Sequence, residues 1–373
     1  MVANARRQRV APSAWQVGAF LGALLPAIVT LRHDAWAPHS DFSAFYQTAL
    51  AFRLDEPAAK LVTALPSLSP PTLALVMSPL TWLPINAAFL VWTAINILLV
   101  ADAGRRLRSR LLLSDRAIVW FMIASLGAVS ALQIWSHGQL GWIVGYVFTR
   151  AWLSSSKQRA GLWLSIGIAL KPPLALTALL LPAGIWTVAG LASAGISLAG
   201  VMLTGLAPWQ DWFRLHRLVS WLDAPTNLSW FGVVARIQGG HPTVHQLSGL
   251  AWGTLMTVCV LVIAATLRAN GTHRWALAGL SGILISPLGW VHYLPSVVAP
   301  LITVWPGSGL MRLAIILLCV PVLVVQALLQ SGQPQLRALG TWVYPCGGLA
   351  LWGAVMWSAN RLDRAERPTG DEQ

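Results

Sequence analysis

TLALVMSPLTWLPINAAFLVWTAINILLVAD, residues 72–102, holds no charge before its final aspartate and only two helix breakers, Pro79 and Pro84. An α-helix rises 1.5 Å per residue, so about 20 apolar residues cross the roughly 30 Å hydrocarbon core of a bilayer. This run exceeds that length, and the basic cluster Arg105, Arg106, Arg108 and Arg110 follows it directly. Similar apolar stretches recur along the chain. Of its 373 residues 56% are hydrophobic and only 10% charged, against about 25% charged in a soluble domain. A water-facing surface cannot be built from so little charge, and lipid is the solvent this sequence is written for.

Outward from that run, apolar spans fall near 14–31, 72–102, 117–133, 139–154, 159–171, 173–187, 188–207, 246–267, 275–288, 293–305, 311–329 and 340–358. The expected fold is an all-α polytopic membrane bundle of about twelve helices: one transmembrane domain over 1–358 and a cytoplasmic polar tail over 359–373. Arg6, Arg7 and Arg9 precede the first span with no small-residue cleavage site behind it, which reads as an uncleaved first helix. Pro79 and Pro84 make 72–102 either one kinked helix or two short ones. Counted as one crossing with the N-terminus inside, it places most of the 25 basic residues in cytoplasmic segments, at Arg105–Arg116, Arg150–Arg159, Arg268–Arg274 and Arg361–Arg367, as the positive-inside bias requires. The short spans 159–171 and 173–187 suggest a pair lining a cavity.

The formal net charge of +13 does not point to nucleic acid, because the charges form short clusters between spans rather than a basic face interleaved with aromatics. Cys259, Cys319 and Cys346 each lie inside an apolar span, so neither a disulfide framework nor a metal knuckle is indicated. A phosphate-binding glycine loop, a dinucleotide fingerprint and a zinc-protease helix motif are all missing, which disfavours soluble nucleotides as substrates.

On this topology the polar segments 32–71 and 208–245 share the extracytoplasmic side. So do the turns bearing His137-Gly138-Gln139, Lys171-Pro172-Pro173 and Trp290-Val291-His292-Tyr293. Asp41 opens a stretch whose apolar residues Phe42, Phe45, Ala49 and Phe52 keep helical spacing. It reads as the N-cap of a short amphipathic helix over 43–53, lying along the membrane interface. Capping could be its whole task, or its carboxylate could do chemistry. Lys171 between two half-helices is either a cation snorkelling to the interface or a clamp for a lipid phosphate. His292, His137 and Gln139 read as interfacial hydrogen-bonding residues or as site residues. Asn227 and Arg236 read as solvated loop or site.

At these positions the sequence resembles glycosyltransferase family 87, membrane transferases of the GT-C fold that use polyprenyl-phosphate sugars. The resemblance is carried, in order, by Asp41-Phe42 with Tyr46 and Ala49; Pro70-Pro71 with Ser78-Pro79-Leu80; Gly138-Gln139; Ala169-Leu170-Lys171-Pro172-Pro173; Asn227-Leu228-Ser229 with Gly232 and Arg236; and Ser286-Pro287-Leu288-Gly289-Trp290-Val291-His292-Tyr293. Together these span about 14–300. The chain departs from the family pattern at Ser67-Leu68-Ser69, where a tyrosine usually precedes the proline pair.

The resemblance implies a glycosyltransferase of the cell membrane with an extracytoplasmic site, Asp41 as general base, and an inverting displacement on a polyprenyl-phosphate sugar. Lys171, His292, Tyr293, Asn227, Arg236, His137, Gln139 and Tyr46 are the expected substrate-binding residues. The acceptor would be a lipid or glycan. Mannose is the favoured sugar and arabinofuranose the alternative. No metal or other cofactor is implied. The competing class is a transporter or flippase of a lipid or lipid-linked sugar, which would need alternating access, usually built on internal repeats; the sequence displays none.

Overall fold

The computed structural model describes residues 40–55, 67–111, 134–135, 137–304 and 308–365. The expected spans 14–31 and 117–133 lie outside them. The described chain is helical, without a β-strand among the described residues. Its helices are α1 (Asp41–Leu54), α2 (Pro71–Met77), α3 (Ile85–Leu111), α4 (Gly141–Trp152), α5 (Lys157–Leu170), α6 (Leu174–Leu179), α7 (Ala183–Thr204) and α8 (Ala207–Leu218). They continue as α9 (Trp230–Gln238), α10 (Gly249–Arg268), α11 (Gly271–Leu284), α12 (Pro295–Thr303), α13 (Gly309–Leu318), α14 (Val322–Gln330) and α15 (Pro334–Ala365). Among the described residues α3, α7 and α10 are each long and apolar enough to cross a membrane, and α13 with α14 makes a fourth candidate bent by 76°.

Proline decides where the long apolar runs break. The run 72–102 is not one helix. Pro79 and Pro84 bracket a 3-10 turn over Ser78–Trp82 between the short α2 and the 27-residue α3, because each ring removes a backbone donor and crowds the preceding turn. The division expected at 187/188 falls instead at Pro182, so α6 is a single short helix and α7 begins at Ala183. The span 311–329 splits at Pro321, and the last helix runs from 334 to 365, beyond both ends of 340–358.

Among the described residues two large apolar cores and two smaller ones hold these helices. Phe42, Phe45, Leu73, Met77, Phe89, Leu140, Phe148, Leu164 and Leu181 tie α1 to α7. Leu277, Leu284, Val297, Met311, Val325, Tyr344 and Val355 tie α11 to α15. Ala278, on α11, joins the first core. The halves meet through a close backbone contact. A Cβ on Gly141 would lie 2.4 Å from the His292 carbonyl oxygen, and one on Gly145 would lie 3.0 Å from that of Pro295. Two glycines four residues apart on α4 therefore make a groove for the segment 292–295, the small-residue device by which helices approach closely in lipid.

Candidate active site

α1 begins at Asp41, two residues earlier than the 43–53 the sequence suggested. Ser40 is the N-cap: its hydroxyl accepts from the Ser43 amide at 3.1 Å, and Asp41 is the first helical residue. The expectation that Asp41 caps α1 is thereby corrected, and its carboxylate is released from that task. Ser and Asp cap about equally well, so composition could not rank them.

The freed carboxylate sits deep among protein atoms yet keeps part of its surface open. Burial pushes its pKa above the ordinary carboxylate range. The charges of Lys171 and His137 and a hydrogen bond from Gln139 oppose that rise. The Lys171 ammonium, carried between α5 and α6, lies 3.5 Å from Ser69 Oγ and 5.8 Å from the centroid of the Tyr293 ring. His292 is buried between Trp290 and Tyr293, with ring centroids at 5.1 and 4.7 Å. Its imidazole is held well below its usual pKa by burial, and by Lys171 and His137 nearby, so it is neutral at physiological pH.

Residues from four separate places in the chain thus lie within electrostatic reach of one another: Asp41 on α1, His137 and Gln139 before α4, Lys171 after α5, and His292 with Tyr293 before α12. Their placement rests on close fits. Gly138 has φ +63°, and a Cβ there would lie 2.5 Å from Phe42 Cβ. The turn carrying His137 and Gln139 therefore rests directly on the residue after Asp41. Trp92 Nε1 fixes the same turn by donating to the Gly138 carbonyl at 2.9 Å.

The remaining candidates are engaged with the backbone. Asn227, expected on the cavity wall, is fully buried. Its amide nitrogen donates to the carbonyls of Leu222 and Pro287 at 2.8 and 2.9 Å, and its amide oxygen accepts from the Ser229 amide. Backbone bonds from Leu228 to Gly289 and from Val291 to Thr226, each 2.9 Å, tie this turn to the segment leading to His292. Arg236 donates to the carbonyls of Ala224, Asn227 and Thr341, and burial lowers its pKa to about 10. The Tyr46 hydroxyl donates to the Leu83 carbonyl at 2.7 Å. All three side chains donate to backbone carbonyls. The sequence missed Ser69, whose hydroxyl meets Lys171 inside the stretch that departs from the family pattern.

Neither carboxylate of the second polar segment is free in the same way. Asp211 is exposed and pairs with Arg214 at 3.0 Å, and Asp223 lies 2.6 Å from His241.

The profile of glycosyltransferase family 87 matches residues 68–291, more than half of the chain. The chain belongs to glycosyltransferase family 87. It is a glycosyltransferase, and its long apolar helices mark it as a membrane protein. The matched segment contains His137, Gln139, Lys171, Asn227 and Arg236, while Asp41 and His292 lie outside it. The chain is also similar to a polyprenol-phosphate-mannose-dependent alpha-(1-2)-phosphatidylinositol pentamannoside mannosyltransferase from Mycobacterium tuberculosis. The two are 24% identical over 331 residues, covering 81% of this chain and 74% of that protein. No solved structure gives a significant match.

Proposed function

We propose that this protein moves a hexose, mannose in the first instance, from a polyprenyl-phosphate donor to a hydroxyl of a lipid or glycan acceptor on the extracytoplasmic face. The observation that carries the reading is the Asp41 carboxylate, relieved of capping by Ser40 and within electrostatic reach of Lys171, His137 and Gln139. The mannose-dependent relative supports the donor class.

In this reading the acceptor hydroxyl gives its proton to Asp41, while its oxygen attacks the anomeric carbon from the side opposite the phosphate. The bond from that carbon to the phosphate oxygen breaks, and its electron pair leaves with the polyprenyl phosphate. One displacement inverts the anomeric centre. Phosphate is a good leaving group and needs no general acid, so one carboxylate suffices where a glycosidase needs two. Lys171 stabilises the charge that gathers on the departing phosphate, an electrostatic contribution strengthened by the low-dielectric surroundings. His292, neutral and walled by Trp290 and Tyr293, orients the bound groups through hydrogen bonds. α1, 14 residues long, is too short to cross a bilayer and lies along its outer interface.

The test is to incubate the purified protein with a panel of radiolabelled polyprenyl-phosphate sugars and a membrane lipid extract. Mannose transfer from polyprenyl-phosphate mannose, with inversion at the anomeric carbon, is the expected result. Absence of transfer from every polyprenyl-phosphate sugar, alongside turnover of another donor class, sinks the proposal.

A further inference from the structure

α7 is the least buried of the three long apolar helices, and Met202 and Leu203 stand exposed at its end. In a membrane such side chains face hydrocarbon, so the last turn of α7 marks the depth at which lipid gives way to water. The chain bends there. Gly205 has φ +74°, a conformation that ends the helix and that glycine adopts without strain. α8 then starts at Ala207 with Pro208 in its first turn, where a missing backbone donor costs nothing.

α8 does not run on along the axis of α7. Nine residues further up one straight helix is a rise of about 13.5 Å, yet a Cβ on Gly200 would lie 2.9 Å from the Trp209 ring. Trp209 Nε1 also donates to Thr204 Oγ1 at 3.1 Å. α8 is therefore turned back against the final turns of α7 and held near their level. One turn further on, Trp212 Nε1 donates to the Leu68 carbonyl at 3.1 Å, and Leu68 adjoins Ser69, whose hydroxyl meets Lys171. Burial lowers the pKa of His216, and the charge of Lys171 adds to that, so α8 lies within electrostatic reach of the candidate site.

With its tryptophans turned to the protein, α8 presents its other side outward. Leu206 and Phe213, seven residues apart, make an exposed apolar stripe. Arg217, four residues on from Phe213, continues that stripe, and Arg214 stands beside it; both arginines are exposed. Asp211 pairs with Arg214 at 3.0 Å, but both side chains are largely in the open, where such a pair is worth little and yields readily to another anion. Arg217 has no ion pair among the described residues.

We propose that α8 is an interfacial helix that docks an anionic phospholipid, with Leu206 and Phe213 against its acyl region and Arg214 and Arg217 on its phosphate. Depth selects lipid over a soluble protein, because this face continues the lipid-exposed end of α7. Charge selects an anionic headgroup: two arginines stand against one aspartate, and a zwitterionic headgroup would set its own cation against them. Guanidinium groups also match phosphate through paired hydrogen bonds. The docking is independent of which sugar the protein transfers.

Photolabelling of the full-length protein reconstituted into vesicles tests it, with diazirine-bearing phosphatidylglycerol and phosphatidylcholine as probes and the labelled peptides mapped by mass spectrometry. Phosphatidylglycerol should label residues 206–218 more strongly than phosphatidylcholine, and added salt should narrow the difference. An arginine at an anionic surface is worth about fivefold in binding. Arg217→Gln should cut the preference by about that factor, and Arg214→Gln combined with Arg217→Gln by about 25-fold, with unchanged melting. Arg217→Lys, which keeps the charge, should retain most of it, and Phe213→Ser should reduce labelling by both lipids. Equal labelling by the two lipids, or a preference that survives the double variant, overturns the anionic site. Absence of label from both places α8 in water and overturns the docking altogether. Crosslinks from α8 to a second copy of the chain would give the face to a protein contact and overturn it as well.

Discussion

Replacing Asp41 with asparagine separates chemistry from architecture on one protein. A positioned general base contributes about 10²- to 10⁴-fold in rate, equivalent to roughly 2.7–5.4 kcal/mol of barrier. Transfer by Asp41→Asn should fall by that factor. The fold has little reason to object. The helix cap is Ser40, bonded to the Ser43 amide, so the cap survives. Loss of the charge at the first helical position forfeits about 0.3–1 kcal/mol of interaction with the helix dipole, and relief of a buried carboxylate offsets it. The matched control is Ser40→Ala, which should cost about 1 kcal/mol of stability with a much smaller effect on the chemical step. The assay is initial-rate transfer of labelled mannose from polyprenyl-phosphate mannose, run beside thermal melting in the same detergent. Near-normal transfer by well-folded Asp41→Asn would refute the assignment and pass the role to Asp211 or Asp223, whose pairing with Arg214 and His241 would then have to open.

As the proposed base Asp41 must be ionised to act, and its pKa lies above the ordinary range, so kcat/KM should rise with pH through that raised value. Lys171 pulls it down, so Lys171→Gln should move the acidic limb to higher pH, and an unmoved limb would uncouple the two residues. The same sign applies to stability: a carboxyl whose folded pKa is raised favours the protonated fold, and its contribution declines as pH climbs past the unfolded value. Gly138→Ala should cost about 1–2 kcal/mol from left-handed backbone alone. It should also lower kcat, since the added carbon meets Phe42; melting and initial rates in parallel check both. Asn227→Ala should lower the melting temperature markedly by orphaning the buried carbonyls of Leu222 and Pro287, with the donor KM nearly unchanged. A selective rise in KM would return Asn227 to the binding site.

The membrane class was legible at once, because composition alone excludes a water-facing surface. Helix limits were legible where proline marks them, yet hydropathy hid the break at Pro182, since apolar residues stand on both sides of it. Asp41 and Lys171 lie 130 positions apart in the numbering, and periodicity cannot bring them together; the resemblance had to. Ser40 was passed over because its neighbour is an equally good cap. Asn227 and Arg236 show the converse, since polar residues that look available in a loop are spent on backbone carbonyls.

The corner between α13 and α14 has a consequence of its own. Pro321 interrupts the apolar run there, and the two halves bend by 76°. In hydrocarbon no water can take up a carbonyl released at such a corner. Tyr344, buried on α15, donates its hydroxyl to the Val320 carbonyl at 2.6 Å. A tyrosine standing in for a solvent molecule makes the corner a splinted joint rather than a hinge. Straightening it would strand both the carbonyl and the hydroxyl in oil, so the hydroxyl ties this corner to the 32-residue helix behind it.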